Sequence, residues 1–186
     1  MRVCALGAAT LLYTMSQPTA AIELSLEGSG WKLSKLSRGG GGVNDAEAQV
    51  VVANATVPGG VWDNLHRANL IGDPLYREND LVFANVTTQG PDIYGWTFSK
   101  AFDCPAVVAA GSQAVGAVLE FGGLQTLANV TVNGQRVLTA DNMFRLQRAS
   151  IPRGLLKASG NTLSVALTAT PMDPGPLMTG GTNCAE

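Results

Sequence analysis

The segment LANVTVNGQRVLTA places Asn133-Gly134 between two β-rich runs, and this pair constrains the fold more than any other feature of the chain. A two-residue type I′ turn needs positive φ at both central residues. Asparagine and glycine tolerate that, and the twist of such a turn matches that of paired strands. The spacing predicts a tight antiparallel hairpin. A second run, YGWTFSKAF, puts Tyr94, Trp96, Phe98 and Phe102 on one face and Gly95, Thr97, Ser99 and Ala101 on the other. That period of two is the mark of a strand with one face in a core.

Other runs repeat the pattern. IELSLEG, WKLSKLS, VVVANATV, AVGAVLEF, FRLQRASI and NTLSVALTAT all read as strands, separated by Gly-, Pro- and Asn-containing turns. VWDNLHRANL sets Val61, Leu65 and Leu70 near helical spacing, with Ala68 beside them, and predicts a short helix ending before Gly72 and Pro74. PRGLLKASGN reads as a second, shorter helical turn stopped by Gly160. RGGGGVNDAEAQ reads as a surface loop. The expected class is all-β, an antiparallel sandwich with one or two short helices. The sandwich is expected over residues 22–170, with 171–186 a linker or a loop cut short.

The N-terminus reads differently. MRVCALGAATLLYTMSQPTAA has Arg2, an apolar stretch from Val3 to about Met15, then Pro18 and small residues. That order describes a secretory leader over 1–21, cleaved near Ala20 or Ala21. The alternative is a buried N-terminal helix. The apolar run is too short to span a bilayer, and no later segment could span one, so no membrane is expected as partner. A net charge of −2 gives no footprint for nucleic acid either. Sequons at Asn54, Asn85 and Asn129 fit the secretory route, secreted or lysosomal/vacuolar, and each is a candidate glycan site. Cys104 and Cys184 remain after the leader. They are a candidate disulfide, with pairing of Cys184 to chain outside this sequence as the alternative.

VPGGVWDNLHRANLIGDPLYREND, residues 57–80, has the look of an active-site loop: one histidine, several acids and aromatic residues. Asp63, Asp73, Glu78 and Asp80 would serve as acid and base only if two of them converged on one bond. The favoured reading is structural. Val57, Val61 and Leu65 cover a sheet, Asp73-Pro74 reverses the chain, and Leu75 and Tyr76 pack into the seam. His66 has no ligand-type neighbours at metal-site spacing, so neither a metal nor another cofactor is expected.

Six segments in order now carry a resemblance: Trp31 on an early strand, VPGGVWDNLHRANLIGDPLYREND, YGWTFSKAFD, LEFGGLQTLANVTVNGQRV, DNMFRLQRASI and SGNTLSV. Together they span roughly residues 30–167, and the chain resembles the N-terminal domain of β-mannosidases, within glycoside hydrolase family two. The resemblance implies a galactose-binding-like jelly roll. It also implies a companion catalytic (β/α)8 barrel whose two glutamates perform retaining hydrolysis of β-mannosides, with mannose-containing glycans as substrate. A barrel takes about 250 residues. This chain has no room for one, so the expectation is a fragmentary, mis-predicted or truncated gene and a domain inactive alone. The resemblance also singles out Asn142, whose counterpart in relatives reaches toward the sugar site. Phe144 and Arg145 support the same loop, and Gly122 and Gly123 read as backbone devices. A loop asparagine bonded to its own backbone is the alternative for Asn142. The alternative function is a free lectin-like module, which is disfavoured because Trp31, Trp62 and Trp96 are the only tryptophans and the pattern buries at least two of them.

Overall fold

The computed structural model describes residues 5–6, 9–14, 22–35, 49–77, 79, 95–105, 116–152 and 154–168. Tyr94, Glu78, Asp80, Asn85, Cys184 and the tail 171–186 lie outside them. The Asn133-Gly134 turn has φ of 51° and 80°, and Gln135 pairs with Val132, so the hairpin closes with the two expected turn residues.

The strands are β1 (Ala5–Leu6), β2 (Ala9–Thr14), β3 (Ile22–Ser25), β4 (Gly28–Lys35), β5 (Gln49–Val57), β6 (Gly59–Gly60), β7 (Trp96–Phe102), β8 (Gly116–Phe121), β9 (Leu127–Val132), β10 (Gln135–Ala140), β11 (Gln147–Ile151) and β12 (Asn161–Thr168). One helix, α1 (Val61–Arg67), follows β6. A six-stranded sheet runs β10-β9-β12-β7-β4-β5 and a four-stranded sheet β11-β8-β2-β3. Every strand pair in both is antiparallel. A two-stranded piece joins β1 to β6.

One core fills the space between the sheets. Trp31, Leu33, Trp96, Phe98, Val130, Leu163 and Val165 come from the larger sheet, and Leu11, Leu119 and Phe121 from the smaller. The period of two in β7 holds, with Trp96 and Phe98 buried and Phe102 half-buried. Thr97, on the opposite face, is also buried, and its hydroxyl makes no hydrogen bond among the described residues. Val57, Val61 and Leu65 are buried where α1 covers the sheet, as the spacing requires.

Buried asparagines complete the frame. Asn64 donates Nδ2 to the carbonyls of Gly60 (2.9 Å) and Thr56 (3.2 Å) and accepts from the Thr56 N–H at 2.7 Å, tying α1 to the end of β5. Asn161, fully buried, accepts from Lys157 N–H and donates to Lys157 C=O at 2.7 Å. Asn133 donates to Leu155 C=O at 2.7 Å and to Asn161 Oδ1 at 3.0 Å. These side chains take backbone groups that a helix over 152–160 would need, and no helix forms among the described residues there. The expected second helix is therefore corrected to an asparagine-held loop.

Three further expectations are corrected. Leu75 and Tyr76 do not pack into the seam; they are 82% and 58% exposed on the turn that Asp73 caps by accepting from Leu75 N–H at 2.9 Å. Tyr76 instead carries the Arg77 guanidinium over its ring at 5.2 Å. Leu70 lies beyond α1, because Asn69 takes φ of 56° and ends the helix. FRLQRASI enters its strand only at Gln147.

Residues expected to belong to a leader also take part in the fold. Residues 9–14 form β2, held between β8 and β3, with Ala9 and Leu11 buried. A short apolar run suits a leader's central region and a buried strand equally, since both need only apolar length.

Candidate functional site at the β10–β11 loop

Residues 141–146 carry the chain from β10, an edge of the six-stranded sheet, to β11, an edge of the four-stranded one. They form a connection across the rim of the sandwich. Asn142 shapes it. Its Oδ1 accepts from the Phe144 N–H at 2.9 Å, and its carbonyl accepts from Gln147 Nε2 at 3.2 Å. This is the turn in which an asparagine bonds the backbone two residues on. The adjoining loop supports it from below. Thr126 Oγ1 sits 3.9 Å from the Met143 sulfur, and a Cβ at Gly123 would stand 3.4 Å from the Met143 carbonyl.

The result is a pinned loop displaying a free ring. Phe144 is 88% exposed and Leu146 51%, with Arg145 exposed between them. Asn142 itself is half-buried. Its Oδ1 is committed to the turn, while Nδ2 has no hydrogen bond among the described residues. Sequence reasoning located the loop and gave a backbone-bonded asparagine as the alternative for Asn142, and that turn is present.

Of the acids of the 57–80 stretch, Glu78 and Asp80 lie outside the described residues, and the other two bond separately. Asp63 pairs with Arg67 at 3.0 Å, one helical turn on, and Asp73 caps its own turn. His66 is exposed, with Nδ1 3.4 Å from the Ile71 carbonyl. Among the described residues no group of three or more His, Cys, Asp or Glu is placed to hold a metal. Cys104 is buried, and its sulfur accepts from Asn161 Nδ2 at 3.4 Å; its pairing with Cys184 falls outside the described residues.

Lys100 has no signal in the sequence beyond its place on β7. Its ammonium donates to the carbonyls of Leu26 (3.1 Å), Glu27 (3.3 Å) and Ser29 (3.0 Å) and lies 5.6 Å from the Trp31 ring centroid. Desolvation lowers its pKa below the usual 10.5. Gly28 and Gly30, with φ of 87° and 84°, fold the intervening chain so that these carbonyls meet one cation.

Two packed antiparallel sheets with a pinned rim loop define a galactose-binding-like jelly roll. Residues 31–175 match the family model described as "Glycosyl hydrolase 2 galactose-binding domain-like", and the chain belongs to that family. Among curated proteins it is 35% identical over 114 residues to beta-mannosidase B of Aspergillus terreus, covering 60% of this chain and 12% of that one. It is 36% identical over 90 residues to the beta-mannosidase of Mus musculus, covering 48% and 9%. The solved beta-D-mannosidase of Dictyoglomus thermophilum superposes with a TM-score of 0.57 at 28% identity, covering 78% of this chain and 15% of that one. The chain therefore corresponds to the N-terminal domain of these enzymes and spans about an eighth of the curated relatives' length.

Proposed function

We propose that this domain is the accessory N-terminal unit of a β-mannosidase-like glycoside hydrolase, inactive alone. In that role it presents the 141–146 loop to a catalytic barrel that acts on mannose-containing glycans. The family match over 31–175 carries the reading. The site geometry agrees with it, since the loop offers an amide and an exposed ring but no pair of carboxylates such as glycoside hydrolysis requires. The test is a chromogenic β-mannoside assay on the purified chain. No turnover is expected. Turnover that scales with protein through successive purification steps overturns the proposal. A free lectin-like module is disfavoured, because Trp31, Trp62 and Trp96 are all buried and supply no exposed tryptophan platform.

We also propose entry into the secretory pathway, on the composition of residues 1–21 and the sequons. Cleavage near Ala20 would withdraw β2 from between β8 and β3. N-terminal sequencing of the product from a secreting host reads this directly: cleavage after Ala20 or Ala21 supports the leader, and an intact Met1 in the cytosol contradicts it.

A further inference from the structure

Two of the three sequons fall in described strands, and the fold treats them differently. Asn129 lies on β9, which is paired on both sides by β10 and β12. It is half-buried, its Oδ1 accepts from Thr139 Oγ1 at 3.1 Å, and the sequon's Thr131 is 2% exposed. A sugar there would have to rise from a half-buried residue in the interior of the sheet. Asn54 lies on β5, an edge of the sheet order, and is exposed. Its Oδ1 accepts from the Gly30 N–H at 2.8 Å, which fixes the amide plane and leaves Nδ2 unbonded among the described residues.

A groove of about 440 Å³ opens beside it, between β5 and the end of α1. Val51, Ala68 and Leu70 give it an apolar wall, and Thr56 and Arg67 a polar one. This is within the size range of small-ligand sites. Leu70 is 43% exposed, so the apolar wall is open to water and gains by being covered.

We infer that Asn54 is the glycan-bearing residue of these two sequons, and that the groove beside it receives the first N-acetylglucosamine. The inference rests on the proposed secretory route. In the transfer, Asn54 Nδ2 forms a bond to the anomeric carbon of a lipid-linked oligosaccharide. The bond from that carbon to the lipid diphosphate breaks, the diphosphate leaves with the electron pair, and one amide proton passes to the transferase. The product is a secondary amide that keeps its carbonyl, so the bond from Gly30 survives. The anchored amide sets the first sugar at the groove mouth. Its apolar ring face then meets Leu70 and Val51, and its hydroxyls and acetamido group meet Thr56 and Arg67.

The test places a cleavable heterologous leader ahead of Met1, so that β2 is kept and the native route is bypassed, and expresses the full chain in a glycosylating host. Peptide mapping is expected to find glycan at Asn54 and bare Asn129. Glycan at Asn129, or a bare Asn54, overturns the inference. The same mapping on a chain with only its own N-terminus reads the secretory proposal separately: an unprocessed cytosolic product contradicts that route and leaves the first arm standing. For the groove, the glycan is trimmed to its single innermost sugar. This form is expected to melt about 2–4 °C above the unglycosylated Thr56→Val variant, and Leu70→Asp is expected to erase the difference. Equal melting temperatures, or a difference that survives Leu70→Asp, remove the groove from the account.

Discussion

In the proposed role Asn142 would use its two amide atoms differently, Oδ1 for the turn and Nδ2 for a ligand, and substitutions can separate them. Asn142→Asp keeps the oxygen that accepts from Phe144 N–H and loses the Nδ2 donor. In a complete relative, the matching substitution is expected to lower kcat/KM by the equivalent of about 1–3 kcal/mol, the cost of an unpaired polar partner, with the melting temperature unchanged. Asn142→Ala removes both atoms and should also cost about 0.5–1.5 kcal/mol of stability. A falling melting temperature with unaltered kcat/KM for both variants would assign Asn142 to the turn alone. Lys100 tests the same logic for a structural cation. Lys100→Met keeps the stem over Trp31 but strands three carbonyls, and is expected to cost about 1–3 kcal/mol in denaturant unfolding. A cost no larger than the ±0.5 kcal/mol typical of surface changes would show the bonds to be replaceable by water.

At the scale of elements, what the sequence reveals depends on whether an element is specified locally. The Asn133-Gly134 hairpin and the alternation of β7 were legible because turn chemistry and period two act within a few residues. Residues 152–160 were misread because their backbone partners, Asn133 and Asn161, come from other elements. Leu75 and Tyr76 look like core by composition, and only the turn geometry at Asp73 turns them outward. The rim loop was found through its resemblance, while its exposed Phe144 had no pattern to announce it. Two measurements follow at this scale. Trp96, 2% exposed between the sheets, should cost about 3–5 kcal/mol on Trp96→Ala. Leu11→Ala should cost about 2–5 kcal/mol if β2 is an integral strand, since Leu11 is 1% exposed in the core. A Leu11→Ala variant that unfolds at the parent's denaturant midpoint would mean that the core closes without β2.

For the whole molecule, the proposal makes the sandwich a platform and its rim loop the part that meets a catalytic barrel. Fold alone supports many functions, so the assignment rests on the family match over 31–175 joined to the geometry of 141–146. The most direct test is β-mannoside hydrolysis by a chimera in which residues 9–168, which keep β2 and β3, replace the matching domain of the Aspergillus terreus beta-mannosidase B, assayed beside the chain alone. The account predicts turnover by the chimera and none by the chain. A chimera that folds yet has no turnover, or a chain that hydrolyses the substrate unaided, would contradict it.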